Sequence, residues 1–252
     1  MSLNINRILC FKLKGKFAHF RKFYTNSSSL SYLIPPRTVI SGLIASILKI
    51  PRDDYYEEFS PDKVGISVSI PTGLLLKKQM QSMNYLHNQY FNLIAKGNGK
   101  VQHSQCKLEL IMGQDGSSVE YIVYVGFHSE HDTFGLLEEK LIKYDLGYGV
   151  YLGQRQFRCH LEYIKTYTDK EFEFCEKSDF LDSVCIQGNI LELELTDGAD
   201  IQKEQMTAHF KKQTSGRDPV CTQQVIFEKK GKRLTGLFKN CIKINDTYIS
   251  FY

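Results

Sequence analysis

The stretch IPPRTVISGLIASIL, at residues 34–48, is where the fold can first be read. Proline favours extended backbone before it and tolerates a helix after it, so Pro35 and Pro36 separate an extended segment from a helix. Residues 37–48 then carry apolar side chains at helical spacing, namely Val39, Ile40, Leu43, Ile44, Ile47 and Leu48. We predict an amphipathic helix that buries this stripe.

Both flanks of this helix show the period-two alternation of strands. Apolar residues alternate over residues 8–13 and 64–70, and strands are predicted again at residues 119–127 and 156–164. Between the last two strands, a second helical pattern buries Phe134, Leu137 and Leu141. The order strand, helix, strand, strand, helix, strand predicts an α+β fold of the ferredoxin-like kind, which the RRM also has.

Two segments do not fit this plan. Residues 77–105 show neither period, are rich in Asn, Gln and Lys, and predict an arm inserted between strands. Residues 108–112 alternate, and we expect them to form a hairpin with residues 119–127. From about residue 168 the chain turns to short β-rich runs. We therefore predict a ferredoxin-like domain at 1–167 and a small β-rich domain at 168–252.

The charge distribution favours an anionic partner. The net charge is +4, but residues 1–52 contain nine Lys and Arg and no acid, and residues 63–107 contain six Lys and no acid. If these segments meet in space, they form a positive cleft that attracts phosphate. The alternative is a solvated basic face with no partner.

Composition and cysteine usage indicate an ordinary globular protein of a reducing cytoplasm. The chain is 42% hydrophobic and 24% charged, and its longest apolar run, at residues 39–48, is too short to span a bilayer. The cysteines are odd in number and lack CxxC spacing, which argues against a disulfide framework or a structural zinc site: Cys10, Cys106, Cys159, Cys175, Cys185, Cys221 and Cys241.

Cations and aromatic residues interleave in GKFAHFRKFY, at residues 15–24. Cations neutralise phosphates, and flat rings stack on unpaired bases at about 1–3 kcal/mol per base. Arg37 adds a cation in the first helical turn, where free N–H groups favour an anion. The candidate RNA contacts of this region are Lys16, His19, Arg21, Lys22, Tyr24 and Arg37. The competing interpretation, core packing, is favoured for Phe17 and Phe20.

Enzymatic motifs give little support for catalysis. The glycine-rich run at residues 147–153 follows a helix and has its third glycine one residue late for a dinucleotide loop, and neither HExxH nor GxSxG occurs. His103 lies three residues from Lys100 near the end of the predicted arm, where a general acid or base could act on RNA. A plain hydrogen-bonding role is the alternative for His103.

Three motifs together resemble the fifth family of CRISPR-associated (Cas) proteins, of the type I-B kind, in the RAMP superfamily. The first motif is GKFAHFRK (residues 15–22), the second is IPPRTVISGLIASIL (34–48), and the third is YLGQRQF (151–157). The resemblance implies a cytoplasmic subunit of a Cascade antiviral surveillance complex that grips the 5′ handle of the crRNA. It also implies neighbouring backbone and large subunits, a cap on the backbone filament, and neither cofactor nor membrane.

The resemblance also assigns roles to residues. Arg21 and Lys22 of the first motif, Arg37 of the second and Arg155 of the third would contact the handle, while the arm at residues 77–105, with Lys100 and His103, would fold over the RNA as a thumb. A type I-C branch of the family cuts repeat RNA without metal through Tyr, Lys and His. A metal-independent endoribonuclease using His103 and Lys100 is therefore the alternative function, and an unrelated RRM-type RNA-binding monomer is a third.

Overall fold

The computed structural model of the chain describes residues 4–25, 29–87, 90–97, 103–128, 131, 133–214 and 216–252. It is an α+β fold built mostly from antiparallel sheets. The α-helices are α1 (Arg37–Ile47), α2 (Phe91–Ala95) and α3 (Thr133–Ile142). The strands are β1 (Ile5–Gly15), β2 (Phe20–Arg21), β3 (Ser31–Tyr32), β4 (Val64–Ser69), β5 (Leu76–Leu86), β6 (His103–Gly113), β7 (Val119–His128), β8 (Cys159–Thr168), β9 (Phe172–Leu181), β10 (Cys185–Ile186), β11 (Ile190–Glu194), β12 (Ile201–Gln213), β13 (Gly216–Glu228), β14 (Leu234–Ile244) and β15 (Thr247–Ile249).

The central sheet has the strand order β4-β7-β1-β8, with every neighbouring pair antiparallel. In the chain, α1 lies between β1 and β4, and α3 lies between β7 and β8. Both helices pack into one core with the same face of β1, and the buried side chains include Leu9, Phe11, Leu13, Ile40, Leu43, Ile44, Phe134, Leu137 and Leu141. Each such side chain contributes about 1.5–3 kcal/mol on burial. The two predicted helices and the strands predicted at residues 8–13, 64–70 and 119–127 are confirmed, whereas the strand predicted at residues 156–164 is found at Cys159–Thr168.

The arm is a long antiparallel hairpin in which β5 and β6 pair along their whole length. Between them lies α2, which has no buried residues. The chain forms this hairpin where the sequence predicts an inserted arm, but the predicted pairing of residues 108–112 with residues 119–127 is wrong. β6 pairs with β5, whereas β7 pairs with β1 and β4. An alternating pattern identifies a strand but not its partner, because the period is two in either pairing.

A second sheet covers the opposite face of the central sheet. At its centre is β14, which pairs with β9, β11 and β15. Gly65 of β4 and Gly126 of β7 are paired directly, and the ring of Phe251 lies against both. A Cβ atom on Gly65 would lie 2.4 Å from this ring. The absence of side chains at these two positions therefore allows the second layer to approach.

A second long hairpin, β12 and β13, joins the C-terminal half of the chain to the first core. Met206, Val225 and Phe227 belong to the same apolar cluster as the side chains of β1 and α1. The core is therefore continuous across residue 168. The division into domains at 1–167 and 168–252 stays a prediction about folding units.

Candidate nucleic-acid interface

The Pro-Pro-Arg segment that precedes α1 is held by hydroxyl groups inside the protein. Tyr121 Oη donates to the carbonyl of Leu33 (2.6 Å), and Tyr252 Oη donates to the carbonyl of Pro35. Pro36 has extended backbone and caps the helix without a side-chain hydrogen bond. The second motif is therefore fixed at the start of α1 by hydrogen bonds inside the protein.

Arg37 points inward and is 1% exposed. Its guanidinium donates to the carbonyls of Phe59 (2.8 Å), Val64 (2.5 Å) and Ala208 (3.4 Å), and burial lowers its pKa to about 10. The predicted phosphate contact at Arg37 is wrong for this fold, because the side chain is buried. Its Nη1 and Nη2 groups donate to backbone carbonyls of β4, β12 and the loop before β4, and its Nε has no hydrogen-bond partner among the described residues. Arg37 joins these elements to α1.

His19 is also in the interior, at 1% exposed. Its Nδ1 lies 2.8 Å from the carbonyl of Glu109 in β6, and since a carbonyl only accepts, we place the proton on Nδ1. In the described part of the chain Nε2 has no hydrogen-bond partner. Burial lowers the pKa of the ring. The predicted RNA contact at His19 is therefore corrected to a neutral core histidine.

This placement makes stability depend on pH. The folded pKa of His19 lies below the unfolded value of about 6.5, so the free energy of unfolding should fall as the pH drops through this region, where the unfolded state takes up a proton more readily. Asparagine at position 19 can still donate to the Glu109 carbonyl but does not titrate. We expect His19→Asn to lose less stability than wild type between about pH 7.5 and about pH 5.5 in urea unfolding. His209, whose pKa burial also lowers, remains in both proteins. An equal loss would contradict the assignment.

Two carboxylates enter the basic region that the sequence predicts to be acid-free. Lys22 Nζ lies 2.6 Å from Glu204 Oε2, with side chains 12% and 5% exposed. Glu109 accepts from the backbone N–H of Ser31 (2.7 Å) and lies 3.6 Å from Lys78 Nζ. The predicted RNA contact at Lys22 is therefore also corrected, because this cation already has a nearly buried partner.

Five other residues that are predicted to contact RNA have exposed side chains: Lys16, Arg21, Tyr24, His103 and Arg155. Lys16 donates to the carbonyl of Gly116 (3.2 Å), and Arg21 donates to the carbonyl of Thr25 (2.9 Å). The hydrogen bond of Lys16 to a carbonyl leaves its positive charge able to attract phosphate. Lys100 lies outside the described residues.

The first motif is hydrogen-bonded to both the arm and the third motif. Ala18 exchanges two backbone hydrogen bonds with Ile111 (3.0 and 2.9 Å), and the N–H of His19 donates to the carbonyl of Leu152 (3.1 Å). Gly153 has φ +89°, and a Cβ atom there would lie 1.9 Å from the carbonyl oxygen of His19. These buried contacts hold together three segments that are distant in sequence.

An exposed polar cluster lies where the arm reaches the third motif. Gln156 Nε2 donates to Tyr85 Oη (3.0 Å) and to Gln154 Oε1 (2.5 Å). Amide groups and a hydroxyl at a surface can hydrogen-bond the edges of unpaired bases. Sequence reasoning missed these residues, and the only signal was the amide-rich composition on both sides.

The open face of the central sheet differs from the platform of an RRM. At one end the second sheet covers it, and at the other end cations are paired with acids: Lys12 with Glu162 (3.8 Å) and Lys14 with Glu120 (2.7 Å). An RRM instead stacks bases on aromatic side chains of this face. This arrangement disfavours the third alternative, an RRM-type monomer.

Two solved structures align with the chain over nearly its whole length. A crystal structure of a CRISPR protein from Archaeoglobus fulgidus aligns with TM-score 0.52 and 11% identity, covering 98% of this chain and 100% of that chain. A CRISPR RNA-guided surveillance complex contains a chain that aligns with TM-score 0.50 and 12% identity, covering 88% and 89%. The chain shares their CRISPR-associated fold. At this identity the likeness concerns the fold alone, and no family model and no curated protein matches the sequence.

Within the described ranges, the CRISPR-associated fold contains no group of three or more His, Cys, Asp or Glu residues placed to hold a metal ion. Its helices, as far as the structure describes them, are too short or too polar to cross a membrane.

Proposed function

We propose that this protein is an RNA-binding subunit of a CRISPR RNA-guided complex. In the specific form that we favour, it belongs to the fifth Cas family and to a type I-B Cascade. It would grip the 5′ handle of the crRNA in the cytoplasm and cap the backbone filament beside the large subunit. The observation that carries the proposal is that the first motif is hydrogen-bonded to both the arm and the third motif on a CRISPR-associated fold, with exposed cations on the first and third motifs.

The proposal gives each layer of the fold a role. We interpret the sheet β4-β7-β1-β8 with α1 and α3 as the ferredoxin-like core of a RAMP domain, and the β5-β6 hairpin as its thumb. The second sheet and the β12-β13 hairpin correspond to the C-terminal domain. No cofactor is required, because phosphate neutralisation, base stacking and hydrogen bonding are supplied by side chains and backbone.

The proposed contacts divide by chemistry. Lys16, Arg21 and Arg155 would neutralise phosphates, and Tyr24, which is 50% exposed, would stack on a base. Gln154, beside Tyr85 of the arm, would hydrogen-bond a base edge. The positive charges would supply most of the affinity for RNA, and the polar groups would determine which base lies at each position.

A salt titration tests the phosphate contacts. We expect the double variant Lys16→Ala with Arg155→Ala to bind a labelled handle RNA about tenfold more weakly near 0.15 M salt, and to lower the slope of log Kd against log salt by about 1.4, since each lost contact with a single strand removes about 0.7. The matched control is Lys170→Ala with Lys177→Ala, which removes the same charge from exposed positions of the second layer. Equal effects in both double variants would reject a specific RNA surface.

The same samples, kept in EDTA, address the alternative function. His103 is exposed at the distal end of β6, opposite Leu86. A binding subunit should shift repeat RNA in a gel and leave it intact. A discrete product that disappears in His103→Ala would instead favour the metal-independent endoribonuclease.

A further inference from the structure

A patch beside β8 is not among the RNA contacts discussed so far. Tyr151 and Arg158 form an isolated antiparallel bridge of the non-hydrogen-bonded type, which brings the two side chains close on one face. Arg158 and His160 are two residues apart in extended backbone and therefore point to the same side. Tyr144 reaches this side, with Oη 2.8 Å from His160 Nδ1. We call Tyr144, Tyr151, Arg158 and His160 the tyrosine patch.

The tyrosine patch is open to solvent and carries a free positive charge. Tyr144 is 51% exposed and Tyr151 is 40% exposed, and Arg158 forms no side-chain ion pair with the residues that the structure describes. The acids nearest to the tyrosine patch in sequence, Glu162 and Asp145, are paired with Lys12 (3.8 Å) and Lys140 (2.6 Å). Exposed rings next to an uncompensated guanidinium match an unpaired strand, whose bases have flat faces and whose phosphates are anionic.

Tyr144 also has an unfavourable backbone conformation. It has φ +56° two residues after the end of α3, where the N–H of Asp145 bonds back to the carbonyl of Lys140 (2.9 Å). This is the Schellman arrangement, in which glycine is preferred because it has no Cβ. A tyrosine at this position reduces the stability of the fold while presenting its ring to solvent. Backbone strain of this kind occurs at binding sites.

The tyrosine patch is continuous with the first motif. Lys14 is the direct partner of His160 in the register of β1 and β8, and a Cβ atom on Gly15 would lie 3.2 Å from the carbonyl oxygen of Arg158. Lys16, a proposed phosphate contact, follows one residue later. A strand bound at Lys16 would therefore reach the tyrosine patch without leaving the surface.

We propose that the tyrosine patch binds the next unpaired nucleotides of the same RNA strand. Bases stack on Tyr144 and Tyr151, Arg158 contacts a phosphate, and His160 holds the ring of Tyr144 through its hydrogen bond. This inference rests on the proposed function and extends the RNA path from the arm, past the first motif, to the edge of β8.

Fluorescence anisotropy with a labelled single-stranded RNA of about 12 nucleotides tests it. We expect Tyr144→Ala and Tyr151→Ala each to weaken binding by about 5-fold to 100-fold without changing the salt slope, since stacking involves no counterion release. Arg158→Ala should lower the slope by about 0.7. Tyr151→Phe keeps the ring and should keep the affinity. The matched control is Tyr148→Ala, a tyrosine 68% exposed in the same loop but outside the tyrosine patch, which should bind as wild type.

The outcomes separate this inference from the proposed function. If Lys16→Ala with Arg155→Ala weakens binding but both tyrosine variants stay within about twofold of wild type, the tyrosine patch is not an RNA site and the proposed function stands. If none of these variants changes affinity, both fall. Tyrosine variants that bind RNA normally but no longer co-purify with partner subunits would show a protein interface instead. Thermal unfolding of each variant establishes that it is folded, and an equal loss of affinity in Tyr151→Phe and Tyr151→Ala would overturn stacking.

Discussion

Replacing Arg37 with alanine is expected to lower the free energy of unfolding by about 3–5 kcal/mol. The carbonyls of Phe59, Val64 and Ala208 would lose their donor in the interior, and the truncated side chain would leave a cavity. For a chain of this size the melting temperature should fall by about 6–20 °C. Arg155→Ala, which removes the same charge from the surface, should change stability by no more than about 0.5 kcal/mol.

Binding measured on folded Arg37→Ala protein tells a structural role from a role in RNA recognition. With the guanidinium in the interior, the affinity and the salt slope of the folded fraction should equal those of wild type. A variant that melts at the wild-type temperature but binds RNA more weakly would contradict this placement. That result would instead support the phosphate contact that the sequence predicts for Arg37.

Gly153→Ala is expected to cost about 3 kcal/mol or more, and to weaken RNA binding as well. The residue has φ +89°, and the new Cβ atom would lie 1.9 Å from the carbonyl oxygen of His19. That oxygen belongs to the backbone and cannot rotate away, so the first and third motifs would have to separate.

Gly149→Ala is the matched control for this variant. Gly149 has φ +96°, but a Cβ atom there would meet nothing within 4 Å. It therefore carries the conformational cost of about 1–2 kcal/mol without the collision. Urea unfolding of both variants gives the cost of the collision by difference. Equal losses would mean that the third motif does not depend on close packing against His19.

The elements that could be predicted from the sequence are those with a strong local period. The stripe of α1 and the alternation of β1 determine burial locally, and both agree with the structure. The partner of β6 could not be predicted, because residues 108–112 alternate equally well for β5 or β7. Strand pairing depends on contacts that are distant along the chain.

The candidate site shows the same limit. Lys16 and Arg21 are exposed, as a contact with RNA requires, but the interleaved cations and rings at residues 15–24 do not reveal which side chains turn inward. Lys22 is neutralised by Glu204, which lies 182 residues later, and no local pattern contains that pairing. The contact between Tyr144 and His160 likewise requires the placement of α3 beside β8.

Phe251 packs on Gly65 and Gly126 and covers one end of the open face of the central sheet. On the proposed function, a bound polynucleotide would therefore follow the edge of the sheet at β8 instead of crossing the covered end of this face. One side of the polynucleotide would then remain exposed and accessible to a neighbouring subunit.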